Sequence, residues 1–149
     1  MAVLDIARRT VVTASPETPV AAVARTMYDE AVGSVVVVAD ARPLGVVTDR
    51  DLAMAVLDES FDAEETPVEA LLAGEPVTVD ADAGVYDLVE LLSEKGLRRV
   101  AVVDDGDLVG LVSLSDVVVL LGMELQHVAN AIRSTAPAYE RSVTDYYDR

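Results

Sequence analysis

The chain has no cysteine, one histidine and no long apolar run. Without cysteine it can form no disulfide framework and offers no thiol chemistry. His127 has neither a cysteine nor a second histidine with which to build a zinc site of the usual kind. No stretch approaches the ~18 apolar residues of a membrane span, and residues 1–9 do not resemble a signal peptide. We therefore expect a soluble, cytoplasmic protein with no metal.

Catalytic motifs are absent as well. We find no nucleophile beside a base, no Walker loop and no glycine-rich phosphate loop among the eight glycines. The paired acids Asp104 and Asp105 precede a glycine, which is typical of solvated turn residues rather than of catalysts. We expect no enzyme activity and no required cofactor.

Basic residues are scarce, and only one of them is a lysine. The formal net charge is −16 and the pI is near 4.1. So acidic a surface repels phosphate backbones, which disfavours nucleic-acid binding. Lys95 stands alone beside ten arginines. This balance favours a halophilic protein from a salt-rich cytoplasm; an ordinary acidic protein or a lysine-poor genome is the alternative.

What the chain does contain is a repeat. Residues 3–56 align with residues 68–121 without a gap, at an offset of 65. Identical residues occur at Val3, Val12, Thr13, Val20, Val35, Val37, Val38, Asp40, Gly45, Val47 and Asp51 of the first copy. Such a repeat predicts one structural unit built twice. Each copy is too small to bury much surface alone, so the two are expected to share a core.

Each copy reads as strand, helix, strand, hairpin, strand and helix. Residues 15–19 carry helix-start chemistry, and Gly33 is the predicted C-cap region. Hairpin turns are predicted at residues 40–43 and 104–107. Helices are predicted from Asp49 to about Asp58 and from about Ser115 to Arg133. The domains are residues 1–62 and 63–133, followed by a polar tail, 134–149.

Two Ser/Thr-x-x-Asp motifs mark the last strand-to-helix junction of each copy. They are Thr48-x-x-Asp51 and Ser113-x-x-Asp116. One interpretation is a capping box, in which hydroxyl and carboxylate satisfy free amides at the helix start. The other is a ligand site, where the hydroxyl and helix amides bind phosphate and the carboxylate accepts from ribose hydroxyls. The spacing fits both, and the two roles can coexist.

Arginines lie close to these motifs. Arg98 and Arg99 precede a predicted buried strand, where the first copy has glycine and serine. They are either solvated residues paired with surface acids or a phosphate clamp. Arg50 lies inside the first motif and fits either role. On this basis we expect the second copy to hold phosphate better.

The duplicated order of elements, with Gly-h-h-Thr/Ser-x-x-Asp at each junction (h, apolar), resembles the CBS-domain family. The resemblance covers a whole tandem pair, or Bateman module, and implies an α/β fold of two pseudo-symmetric β-α-β-β-α repeats packed through their sheets. It implies clefts that bind adenosine-containing ligands such as AMP, ADP, ATP or S-adenosylmethionine. Backbone next to the adenine would come from Val12, Thr13, Val77 and Thr78.

The resemblance also implies a regulatory or sensor module, acting as a homodimer on an effector protein that the sequence does not identify. The alternative is a structural dimerisation or interaction module with vestigial ligand sites. Residues of α-helical spacing late in the chain, among them Val117, Val118, Leu121 and Leu125, are the expected dimer surface.

The charge predicts salt-dependent stability. Sixteen excess negative charges repel one another in dilute buffer, where the Debye length is about 30 Å at 0.01 M, and hardly beyond ~3 Å at 1 M salt. We expect the melting temperature to rise steadily with KCl, measured by circular dichroism. A melting temperature that is the same in dilute buffer and in molar KCl would rule out the halophilic interpretation.

Overall fold

The structure, a computed structural model, describes residues 1–135. The chain divides into two compact units, the first of residues 1–114 and the second beginning at Ser115. The predicted polar tail lies outside the described residues, except for Ser134 and Thr135, which end the last helix. The elements in order are α1 (Val3–Ile6), β1 (Thr13–Ala14), α2 (Val20–Asp29), β2 (Ser34–Ala39), β3 (Arg42–Thr48), α3 (Asp49–Ala55), a 3₁₀ turn (Val68–Leu71), β4 (Thr78–Asp80), α4 (Val85–Lys95), β5 (Arg99–Asp104), β6 (Asp107–Ser113) and α5 (Leu114–Thr135).

The first unit contains two three-stranded sheets of identical topology, with strand orders β1-β2-β3 and β4-β5-β6. In each sheet the first pair of strands is parallel and the second antiparallel. The register shifts between Val37 and Val38 in one sheet and between Val102 and Val103 in the other, again 65 residues apart. The α/β fold of two equivalent repeats is therefore confirmed down to its irregularities.

The valine-rich runs form the central strands, as predicted. Val35, Val36 and Val37 of β2 are fully buried, which is expected of a strand covered on both faces. Val23 and Met27 of α2 pack in one cluster with Val35 and Val37. Apolar residues spaced three to four positions apart lie on one face of a helix. The predicted apolar stripe of α2 and its observed packing therefore agree.

The first segment of each copy forms backbone hydrogen bonds with the other copy. We call residues 3–9 and 68–74 the lead-ins. In the first, Val3 N donates to Ala83 O at 2.8 Å; in the second, Val68 N donates to Thr18 O at 2.8 Å. The side chain of Val68 is buried in the cluster of the first copy. The repeats are thus interlocked, since the lead-in of each copy is bonded to the other copy.

The start of α2 differs from the prediction, and the linker between the copies explains the difference. The helix begins at Val20, and Pro19 at the N-cap makes no side-chain bond. The amide of Val20 instead donates to Thr66 O at 2.9 Å, and that of Ala21 to Ala63 O at 2.8 Å. Free amides at a helix start need acceptors, and here the linker between the copies supplies them.

The linker follows an α3 that is shorter than predicted. The helix ends at Ala55, not near Asp58. The Ser60 hydroxyl donates to the Asp58 carboxylate at 2.7 Å, and the Ser60 amide donates to it at 2.9 Å. These two bonds lower the pKa of Asp58, because they favour its charged form. They fix the turn that replaces the last predicted helical turn.

Both predicted hairpins are present, with two-residue loops. Asp105 and Gly106 have φ of 50° and 87°, as a tight hairpin turn requires. The first hairpin uses Asp40 and Ala41, with φ of 49° and 65°. Strand β3 is therefore two residues longer at this end than predicted.

The C-cap predicted around Gly33 lies elsewhere. Ala31 follows the C-cap residue of α2 and has φ of 52°. The equivalent residue after α4 is Gly96, with φ of 63°. A left-handed residue commonly ends a helix, and it is usually glycine because a Cβ is strained there. The first copy therefore carries strain that the second avoids.

This difference predicts opposite effects of two reciprocal substitutions. Ala31→Gly should raise the free energy of unfolding by about 0.5–1 kcal/mol, net of the entropy that glycine adds to the unfolded chain. Gly96→Ala should lower it by about 1 kcal/mol. Chemical denaturation of both variants measures this.

Gly96→Ala is a clean comparison because a Cβ there has no neighbour within 4 Å. Its effect therefore reports the backbone alone. Equal stability of both variants and the wild type would contradict the assignment of strain.

Candidate binding cleft

A cavity of about 580 Å³ lies between the two copies within the first unit. Its walls come from three stretches of chain, residues 44–51, 71–77 and 96–99. The first is the end of β3 and the start of α3, the second is the end of the second lead-in with the chain after it, and the third leads into β5. Small-molecule pockets commonly span roughly 300–1,000 Å³, so this cleft can hold one such ligand.

Thr48 and Asp51 face each other across the first turn of α3. The Thr48 amide donates to Asp51 Oδ2 at 2.8 Å, and the Thr48 hydroxyl donates to the same oxygen at 2.9 Å. The Asp51 amide and Thr48 Oγ1 are 3.3 Å apart. The capping box is therefore formed in full. Asp51 Oδ1 takes part in none of these bonds.

Arg98, just before β5, and Arg99, its first residue, line the same cavity as the first copy's motif. They also lie beside the second motif, because Arg99 pairs with Ser113 across β5 and β6, so the expectation that the second copy holds phosphate better stays a prediction. Arg98 is exposed, whereas Arg99 is half-buried and donates from Nη1 to Ser34 Oγ at 2.8 Å. Ser34 is only 7% exposed and lies 65 residues before Arg99. Equivalent positions of the two repeats thus meet directly.

The four strand residues predicted to lie next to the adenine do not all belong to this cavity. Val77, just before β4, lines the cavity, and Thr78 begins the strand. Val12 and Thr13 lie outside this lining. Val12 O accepts from Val36 N at 3.0 Å, within the first sheet. Because the lead-ins are exchanged, the motif of one copy meets the first strand segment of the other, which an alignment of the copies could not reveal.

The second motif stands at the end of the first unit. Ser113 is the last residue of β6, and Asp116 lies in the first turn of α5, in the second unit. The cleft expected there stays a prediction.

Sequence reasoning missed several lining residues. Leu72 and Pro76 give apolar surface, and Asp49 and Glu75 add carboxylates. By formal charge the walls balance, with three arginines against three acids: Arg50, Arg98, Arg99, Asp49, Asp51 and Glu75. In a chain of net charge −16, a neutral cleft is the kind of place where an anion meets least repulsion.

Metal and membrane features can be stated for the described residues. In residues 1–135, no three His, Cys, Asp or Glu side chains are grouped so as to hold a metal ion. None of the helices described there has both the length and the apolar character needed to cross a bilayer.

Comparison with known proteins gives concordant results. The chain is 35% identical over 115 residues to an uncharacterised protein of Methanopyrus kandleri, covering 76% of this chain and 59% of that protein. It is 32% identical over 117 residues to a CBS domain-containing protein of Bacillus subtilis, covering 78% and 83%. A CBS domain protein from Pyrobaculum aerophilum complexed with AMP has a similar structure, with a TM-score of 0.70, 28% identity and coverage of 78% and 89%.

The CBS-domain model matches twice, at residues 3–58 and 68–122. The two matches coincide with the two copies of the repeat, and together they cover most of the chain. Together with the interlocked repeats and the cleft between these repeats, the two matches establish that the chain belongs to the CBS-domain family as a tandem pair.

Proposed function

We propose that this chain is a non-catalytic regulatory module that binds an adenosine-containing ligand in the cleft between its repeats and acts as a homodimer. The observation that carries the proposal is the composition of one cavity, which combines apolar walls, the Thr48–Asp51 pair and three arginines. The AMP complex of the Pyrobaculum relative supports this class of ligand. Other adenosine compounds, from ADP and ATP to S-adenosylmethionine, are the remaining candidates.

The base would lie against the apolar side of the cleft. Leu72, Pro76 and Val77 supply aliphatic surface next to a strand start. Backbone N–H and C=O groups at such a start can pair with the adenine amino group and a ring nitrogen. Side-chain identity matters little for that pairing, which is why apolar residues suffice.

The ribose would be held by Asp51. Its Oδ2 is already occupied by two bonds from Thr48, which fix the carboxylate in place. Oδ1 takes neither of those bonds, so it can accept from the ribose hydroxyls. Preorganisation of this kind lowers the entropy lost on binding. The capping role and the binding role then use different oxygens of one side chain.

The phosphate would rest on the arginines. The Asp51 amide is already bonded to Thr48, which leaves the guanidinium groups as the main partners of an anion. Arg98 is exposed at the cavity wall, and Arg50 lines the same cavity from the start of α3. Guanidinium forks bind phosphate oxygens in pairs. Arg99 would have to share or leave its bond to Ser34.

One observation favours the second candidate, a structural module with vestigial sites. Thr48 and Asp51 satisfy each other within the capping box. The motif therefore has a complete structural role without a ligand. Calorimetric titration of adenosine, AMP and ATP in high salt separates the two candidates, since only the first predicts heat of binding that saturates at a fixed stoichiometry.

Asp51→Ala should weaken AMP binding more than it weakens the fold. A charge-assisted bond contributes about 1.5–3 kcal/mol, or roughly tenfold or more in affinity, whereas losing a cap residue costs about 0.5–2 kcal/mol of stability. Asp116→Ala tests the other motif in the same way. Unchanged AMP affinity in Asp51→Ala, where wild type binds, would assign the motif to capping alone.

Arg98→Ala should weaken AMP binding roughly tenfold or more and leave adenosine binding unchanged. The reason is that an ionic hydrogen bond to phosphate, of about 1.5–3 kcal/mol, exists only with the nucleotide. Arg25→Ala is the matched control. It removes the same charge from a residue paired with Glu64 on the surface, at 2.6 Å. Equal losses for AMP and adenosine in Arg98→Ala would contradict a phosphate role.

A further inference from the structure

Helix α5 carries an unbroken heptad pattern that the ligand cleft does not use. Six apolar residues follow one another at alternating intervals of four and three: Leu114, Val118, Leu121, Leu125, Val128 and Ile132. We call them the seam. Each is between 39% and 69% exposed. A seam of this length with so much apolar surface in water requires an explanation.

The spacing itself indicates the kind of contact. Apolar residues repeating every 3.5 positions on average keep one narrow stripe turned towards a supercoiled partner helix. A helix that packs on a globular core has a broader apolar face, and that face is buried. The seam is exposed and follows the 3.5-residue repeat, while Val119 and Met123 add exposed apolar surface outside it. The repeat of the seam therefore fits a helical partner with the same repeat.

Charge indicates that the partner is a second copy. The chain carries a net charge of −16, so two copies repel over most of their surface. Within α5 the charged residues are Asp116, Glu124 and Arg133, a net charge of −1. Positions flanking the seam include Gly122, Ala129 and other small residues. Two copies can therefore approach along α5 with little repulsion or crowding.

The area is sufficient for association. Six half-exposed aliphatic side chains on each of two helices would together bury roughly 1,000 Å², at the lower limit of a specific interface, before flanking residues are counted.

We propose that α5 pairs along the seam with α5 of a second copy, as a parallel two-stranded coiled coil. With Val118 at an a position, the a residues are Val118, Leu125 and Ile132, and the d residues are Leu114, Leu121 and Val128. Mostly β-branched residues at a and mostly leucine at d favour two parallel strands. The inference rests on the homodimer of the proposed function and extends it to a defined surface and orientation. It is independent of the ligand.

The absence of cysteine allows a direct test. Val118→Cys and Ile132→Cys, made separately in the full chain, should each form a disulfide-linked dimer under mild oxidation in molar KCl. In a parallel pair every seam position faces its own counterpart, whereas in an antiparallel pair at most one does. Met123→Cys is the control, since it is 57% exposed but lies on the opposite face. Cross-linking at one seam position only, or at neither, would overturn the parallel coiled coil.

Leu125→Glu tests the seam without cross-linking. It should weaken dimerisation at least tenfold in sedimentation velocity, while Met123→Glu, with the same added charge, should sediment as wild type does. A dimer as tight in Leu125→Glu as in wild type would reject the seam but leave the homodimer intact. A wild type that is monomeric at 100 µM would reject both. AMP titration of Leu125→Glu reports on the cleft separately.

Discussion

The exchange of lead-ins between the two copies is the constraint on which the rest of the first unit depends. A repeat of this size buries too little surface to be stable alone. Here the first repeat lacks part of its own core, because Val68 of the second repeat completes the cluster around Val23 and Met27. Paired backbone bonds at equivalent positions, Val3 to Ala83 and Val68 to Thr18, fix the exchange. Folding of one repeat is thereby tied to folding of the other.

The cleft follows from this interlocking. Since the second lead-in crosses to the first copy, the chain after it, through Pro76 and Val77, runs past the start of α3. The carboxylate of Asp51 and the apolar wall of the second repeat then face one cavity. No single repeat contains both halves of the site. A ligand bound there would contact both copies, so its binding would stabilise their association.

The sequence predicts much of this fold, and the reasons for its failures are specific. The ungapped offset was sufficient to predict two equivalent sheets, and the Asp-Gly turn and the valine runs were found where predicted. The start of α2 was wrong because its acceptors lie more than 40 residues away, at Thr66 and Ala63. Local capping rules cannot detect a partner that only the tertiary fold supplies.

The site was predicted less completely, for the same reason. Thr48, Asp51, Arg98 and Arg99 were all identified as candidates, and the structure brings them to one cavity. Sequence proximity placed the arginines with the second motif alone, whereas they also line the cavity of the first motif. Asp49 and Glu75 were missed, since neither belongs to a spaced motif. The exchange of lead-ins decides which copy contributes each wall of the cavity, and this exchange is a feature of the tertiary fold.

The differences between the two copies are of two kinds: one changes only the backbone energy, and the other changes the residues that line the cavity. Ala31 and Gly96 occupy equivalent left-handed positions, so that difference changes only the backbone energy of the first copy. Ser34 and Arg99 are equivalent as well, yet this difference places a cation at the cavity and binds it to a buried hydroxyl of the other repeat. A symmetric pair with arginine at both positions would bring two like charges together at this contact, and like charges in a partly buried place repel strongly. The asymmetry is therefore what allows one arginine to stand at the junction of the repeats, where an anionic ligand can reach it.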